Sequence, residues 1–167
     1  MTTLNANLVA QIIATISDPL TLSVPVDPLS YTKKISFATG TGIGQGDKLW
    51  HATRTILASA TDTLDLAGSL TDGLGDPVTF VRIKALMVVG APANAGNITL
   101  RRPATNGVPL FDTVSAGLPI VAGGMLMWVA PTAAGVVVTA GTGDLIDLVN
   151  TVASTVNCDV VILGASA

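Results

Sequence analysis

The longest unbroken alternation in the chain spans residues 78–89, Val-Thr-Phe-Val-Arg-Ile-Lys-Ala-Leu-Met-Val-Val. Side chains of an extended strand point alternately to its two faces. One parity holds Thr79, Val81, Ile83, Ala85, Met87 and Val89, an apolar row that predicts contact with a second sheet. The other sets Arg82 and Lys84 between Val78, Phe80, Leu86 and Val88, and so predicts partial cover by something other than water. Helical spacing would place the two cations on either side of Ile83 with no clean polar face, and the β-branched content also favours a strand.

Shorter alternations surround this one. Trp50, Ala52, Arg54 and Ile56 share a parity within residues 48–58, and Cys158, Val160 and Ile162 share one within 156–163. Leu64 and Leu66 point one way, Thr63 and Asp65 the other. Residues 97–101, 108–111, 120–122, 125–130 and 135–139 read as further strands. Residues 144–150 read as a strand too, although Asp144 and Asp147 also fit helical spacing. Turn residues separate the pieces, among them Thr71-Asp72-Gly73, Gly75-Asp76-Pro77 and Asn106-Gly107. A regular series of short strands predicts an all-β sandwich or barrel, and over residues 47–167 a jelly-roll-like β-sandwich.

Residues 1–46 follow other patterns. Leu4, Leu8, Ile12 and Ile16 recur at i, i+4, with Val9 and Ile13 widening the stripe and Asn5, Asn7 and Gln11 off it. That spacing predicts an N-terminal helix over 4–16, ended by Ser17-Asp18-Pro19. Three turns at a chain end are marginal alone. The stripe must therefore dock, either on its own domain or against copies of itself or another protein. Residues 20–30 carry Pro25 and Pro28 around Leu22, Val24 and Val26, which predicts an edge strand or extended arm. A short strand is predicted over 31–37, and a flexible hinge at Gly40-Thr-Gly-Ile-Gly-Gln-Gly46. This is no dinucleotide fingerprint, because Asp47 stands where the last glycine belongs, and no P-loop Lys-Ser follows. The division is thus 1–46, helix and extended arm, and 47–167, the body. Leu4, Leu8, Ile12, Ile16, Leu22, Val24 and Val26 are the candidate interface.

Composition sharpens that expectation. The chain is 49% hydrophobic and 11% charged, without a single glutamate, where about a quarter of residues are ordinarily charged. So much apolar surface predicts a homo-oligomer, a dimer or trimer, since large exposed apolar patches mark interaction sites. With a net charge of −3 and dispersed Lys and Arg there is no nucleic-acid footprint. The first residues carry no basic segment, so a secretory signal is not expected. The uncharged run 113–143 suggests a membrane span by hydropathy, but Pro119, Gly123, Gly124, Pro131 and Gly135 cut it into strand-sized pieces.

Candidate chemistry is sparse. His51 is the one histidine; Ser59 and Asp62 lie near it in sequence, in no known triad order. Cys158 falls on the apolar parity of its strand, as a buried thiol does, and one His with one Cys cannot close a zinc site. The pairs Asp62 and Asp65, Asp72 and Asp76, and Asp144 and Asp147 suit glycoside hydrolysis in principle. Each lies in a strand or turn where aspartate is an ordinary residue. The loop 71–76 is conceivable for calcium but lacks the twelve-residue hand pattern. Trp50 and Trp128 read as core anchors or, alternatively, as a sugar platform or interface hot spot. Arg101 and Arg102 read as a solvated strand end or a dock for acidic groups. No catalytic residue, cofactor or metal is predicted, and the expectation is a non-enzyme.

The segment Asp47-Lys-Leu-Trp-His-Ala-Thr-Arg-Thr-Ile-Leu-Ala-Ser-Ala-Thr-Asp-Thr-Leu-Asp-Leu-Ala-Gly68 resembles small virion structural proteins of tailed bacteriophages. So do residues 78–85, Thr139-Ala-Gly-Thr-Gly-Asp-Leu145 and Cys158-Asp-Val-Val-Ile-Leu-Gly-Ala-Ser-Ala167. The resemblance covers most of the chain after Asp47 and, more loosely, the arm before it. Its motifs are strand-and-turn patterns with no catalytic residue to carry over. It implies a capsid decoration (cement) protein, made in the host cytoplasm and placed on the capsid surface. Its implied partners are other copies and the major capsid protein, with no nucleic acid and no membrane. A tail or fibre accessory protein that binds a host surface glycan is the alternative.

Overall fold

The structure, a computed structural model, describes residues 3–167, and every regular element in them is a strand. In chain order these are β1 (Ala6–Ser17), β2 (Val26–Thr39), β3 (Gln45–Gly46), β4 (Lys48–Ile56), β5 (Thr61–Asp65), β6 (Leu70–Thr71) and β7 (Pro77–Val78). There follow β8 (Arg82–Gly90), β9 (Ile98–Arg101), β10 (Gly117–Ile120), β11 (Met125–Val129), β12 (Val136–Val137), β13 (Leu145–Asn150) and β14 (Val156–Ala165).

The body consists of two larger sheets sharing one core. A five-stranded sheet runs β11-β8-β14-β4, with β12 continuing along the edge of β8, and a four-stranded sheet runs β10-β9-β13-β5. Alternation puts Trp50 and Ile56 of β4, Leu86 and Val88 of β8, and Cys158, Val160 and Ile162 of β14 on the inner face of the first. Leu64, Ile98, Leu100, Ile146 and Leu148 answer them from the second. Pro119, which cannot donate to a ladder, lies in β10 at a sheet edge. Where β13 ends, buried Asn150 donates to the carbonyls of Leu57 and Ser154, both at 2.8 Å, and accepts from the Val152 amide at 3.0 Å. That leaves no buried polar atom of the side chain unsatisfied.

The predicted strand over 78–89 is not one strand. It breaks between β7 and β8, and its inward parity reverses within β8. Ala85 pairs with Leu163 and Ile83 with Gly164, so Lys84 is an extra residue without a partner on β14. Such a bulge shifts the alternation by one. Ile83 faces the core before it and Leu86 and Val88 after it, while Ala85, Met87 and Val89 turn to the outer face. The expected apolar row from Thr79 to Val89 is therefore divided between two faces. Buried Lys84 donates to the carbonyls of Thr132 at 2.5 Å and Ala133 at 2.6 Å, which fixes the loop between β11 and β12. Gly135 closes that loop with φ +55°, and a Cβ there would lie 2.4 Å from the Ile83 carbonyl oxygen.

The expected N-terminal helix is absent. Residues 6–17 form β1, paired antiparallel with β2 in unbroken register from Ala6 opposite Phe37 to Ser17 opposite Val26. The physical reason lies in the spacing itself, since an interval of four is an even number. Leu4, Leu8, Ile12 and Ile16 line one face of a strand as well as they line one face of a helix. Val9, Ile12, Ile13, Thr15 and Ile16 are β-branched and fit the pleated surface. The expected arm over 20–30 supplies the turn and the start of β2, so arm and stripe are two halves of one hairpin.

Candidate functional site

The hairpin β1–β2 has two unlike faces. On one, Asn7 accepts from the Ser36 hydroxyl at 2.7 Å, and Gln11 donates to Thr32 at 3.0 Å. Val9, Ile13, Lys34, Ser30, Pro28 and Val26 share this side, and Val9, Ile13 and Val26 are exposed between the polar pairs. The other is the row of pairs Ala6–Phe37, Leu8–Ile35, Ala10–Lys33, Ile12–Tyr31, Ala14–Leu29 and Ile16–Asp27. At its root this second face forms a satellite core: Phe37 packs with Ala85 and Leu163 of the body, and Leu4, Ala6, Leu8, Ile35 and Val129 border them. Further out the same face has no cover. Ile12, Ile16, Leu29 and Tyr31 are exposed, Ile16 to 74%. A strand of this length reaches about 40 Å at about 3.3 Å per residue, so most of the hairpin projects past the body.

The root is held firmly. The Leu4 amide donates to Thr39 Oγ1 at 2.7 Å, and the Thr39 hydroxyl donates to the Leu4 carbonyl at 2.9 Å. The glycine-rich segment 40–46 is tied to the body through the Gly44 amide, which donates to the Pro131 carbonyl at 2.8 Å. The Gln45 side chain accepts from the Gly42 amide at 2.9 Å. The segment expected as a flexible hinge is thus laced to the body by hydrogen bonds, and β3 within it pairs with β2.

The structure distributes the predicted interface residues over the whole hairpin. Of the predicted interface residues, Ile12 and Ile16 lie on the apolar face of the hairpin, and Leu4 and Leu8 on its covered root. Leu22, 98% exposed, and Val24 sit in the tip between the strands, whereas Val26 belongs to the other face. Leu29 and Tyr31, which the sequence pattern did not single out, share the exposed face with Ile12 and Ile16. Their parity was legible, but only a paired β1 makes it meaningful. Beside the root, the outer face of the five-stranded sheet continues the apolar surface through the register row Met127–Met87–Val161, each half-buried.

The candidate polar groups elsewhere are engaged in the fold. Arg54 clamps Asp62 through two bonds of 2.6 Å, joining β4 to β5 where the two sheets meet. Asp147 accepts from Arg101 at 2.7 Å and from Thr63 at 2.7 Å. Asp72 accepts from the amides of Leu74 and Asp76, Asp65 from that of Ala67, and Asp144 from that of Gly141. Arg102 donates to the carbonyls of Phe111 and Asp112. Among the described residues no three His, Cys or Asp side chains converge as metal ligands. Exposed His51 borders a groove of about 630 Å³ with Leu4, Lys48, Asp72, Leu74 and Val78. That lining offers no aromatic platform for a sugar, and Trp50, on the neighbouring strand position, is buried in the core.

Two titrating groups register burial. Lys84 is held below the ordinary lysine range, by desolvation first and by nearby Arg82 second. The Cys158 thiol is pushed up to about 11, chiefly by burial and further by Asp62 and Asp159, with Arg54 opposing. A thiol so placed is inert at neutral pH. Compared with family models, curated proteins and solved structures, the chain matches none.

Proposed function

We propose that this chain is a virion structural protein of a tailed bacteriophage, a capsid decoration (cement) protein that stabilises the head through subunit contacts. The observation that carries this reading is the apolar hairpin face that starts in the satellite core and runs on into solvent. An isolated two-stranded hairpin is marginally stable in water, so a hairpin of this length with a continuous exposed apolar row is built to be covered. Its cover lies outside a single copy. Many copies on a shell, each adding modest apolar contact, stabilise the whole by mass action. The body then acts as a rigid head that fixes where the hairpin starts, and no enzymatic step is needed.

A jelly-roll reading of the body is supported by strand order. In one sheet β4 neighbours β14, and β8 lies between β14 and β11; in the other β5 neighbours β13, and β9 lies between β13 and β10. The first and last strands of the body pair with each other, and the next pair inward does the same in the facing sheet. Nested Greek keys give that pattern.

The test is to replace residues 10–33 with Asn-Gly, joining Val9 to its register partner Lys34 through a two-residue turn. The shortened protein keeps Leu4, Leu8, Ile35 and Phe37 over the body, whereas a simple deletion of residues 1–30 would remove Leu4 and Leu8 from that cluster. It is expected to remain folded and to lose cosedimentation with phage heads that lack the native protein. Full occupancy of the heads by the shortened protein would refute the reading.

A further inference from the structure

The distal face of the hairpin consists of four register pairs in sequence from root to tip: Ala10–Lys33, Ile12–Tyr31, Ala14–Leu29 and Ile16–Asp27. All eight side chains are exposed. The face has a charge at each end, cationic toward the root and anionic toward the tip, with aliphatic and aromatic groups between. Neither Lys33 nor Asp27 has an ion-pair partner within the chain among the described residues.

From this arrangement we infer that the hairpin is covered by the hairpin of a second copy, packed face to face and antiparallel about a two-fold axis. The axis passes between the Ile12–Tyr31 and Ala14–Leu29 pairs and runs across the strands. This deepens the assembly reading above by naming what covers the arm. An axis so placed lays β2 over the partner's β2 and reverses its direction. Lys33 of each copy then faces Asp27 of the other, twice over. Tyr31 meets the partner's Leu29. On β1, Ala10 faces the partner's Ile16 and Ile12 faces the partner's Ala14, so each large side chain is set against a small one, as interdigitating layers require. The parallel alternative lays β2 over the partner's β1. It sets Lys33 against the partner's Ala10 and Asp27 against the partner's Ile16, leaving both charges unpaired at an apolar face. Of the two isologous arrangements, only the antiparallel one is self-complementary in charge.

The four pairs span about 20 Å along the strands and about 10 Å across them, so this face alone covers less area than a standard stable interface. The pairing is therefore reversible and depends on concentration. In this arrangement the apolar tip, with Leu20 and Leu22, points at the partner's body.

The experiment is sedimentation velocity over a concentration series, at low and moderate salt, on four full-length proteins: native, Lys33→Asp, Asp27→Lys and the double exchange. Both substitutions are on exposed arm positions and leave the body core untouched. The native protein is expected to dimerise, each single variant to weaken the dimer at least about tenfold by facing like charges, and the double exchange to restore it. An equimolar mixture of the two single variants is expected to form a heterodimer. A native protein that stays monomeric, a trimer, or single variants that dimerise like the native protein would overturn the inference. The virion reading is judged separately by head binding: a monomer that still binds heads overturns only the hairpin pairing, and a dimer that ignores heads overturns only the virion role.

Discussion

The body and the hairpin follow the same alternating code and end in opposite situations. In the body, each apolar parity meets a facing sheet, and Phe80, Ile83, Val88, Leu148 and Ile162 are almost wholly removed from water. In the hairpin, an equally regular parity leaves Ile12, Ile16, Leu29 and Tyr31 in solvent. Strand formation needs only a paired neighbour and β-compatible side chains, whereas stability needs a second layer. The hairpin has the first without the second. That difference leaves the body closed on its own core and the outer arm open to solvent.

The largest effect that separates the two regions is expected from truncating a core ring. Phe80 is 1% exposed, packs within the main core and lies against Gly164 of β14. Phe80→Ala should destabilise the body by about 3–5 kcal/mol, the usual cost of emptying such a site, seen as a lower midpoint in chemical denaturation. A loss below about 1 kcal/mol would show that the body is not closed by its own two sheets.

A second effect reads the dryness of the same core through pH. Cys158 is 1% exposed, and its thiol is pushed up to about 11, above the ordinary thiol value of about 8.5. A raised acid pKa in the folded state means that the folded form holds its proton longer than the unfolded one. The associated stability is fully present below the unfolded pKa and is lost as pH rises through the folded one. Between about pH 8.5 and 11 the native protein should lose stability with a slope approaching about 1.4 kcal/mol per pH unit from this group. Denaturation at pH 8 and pH 10.5 measures it, and Cys158→Ala should flatten the difference. An unchanged pH dependence in the variant would place water beside the thiol.

Legibility followed the number of layers. The body's inward rows in β4 and β14 were readable because burial on one face imposes a strict period of two. Trp50, Arg54, Ile56, Cys158 and Val160 fell as their parities required. Reversal within β8 was hidden, since a bulge at Lys84 leaves no composition signal, and a lysine between apolar residues reads as solvent-facing. Asn150 also escaped notice, as its role depends on three segments meeting at one corner. For the hairpin the pattern found an apolar row and assigned it to the wrong element. Leu4, Leu8, Ile12 and Ile16 satisfy both helical and strand faces, so the spacing could not choose between them. The deciding partner, β2, follows Pro25 and contains Pro28, which argued for an edge strand or extended arm without naming a partner for it. Pro28 is accommodated opposite Thr15 in a two-stranded ribbon, where each strand keeps a free edge over most of its length.

The smallest expected effect is the most telling about the arm. Ile16 lies on the distal apolar face, 74% exposed, and touches no part of the body core. In dilute protein Ile16→Ala should change body stability by less than about 0.5 kcal/mol, as exposed positions usually do, although a residue of the same type in β13, Ile146, would be costly to truncate. Isoleucine also has the higher strand propensity, so any residual loss should appear as faster amide exchange in β1 and β2 and not in β8 or β14. A body-wide loss from Ile16→Ala would mean that the arm folds back on its own domain, and the contrast between a closed body and an open arm would fail. With the loss confined to the arm, the exposed isoleucine has no part in holding the body together, and the contrast between the two regions stands.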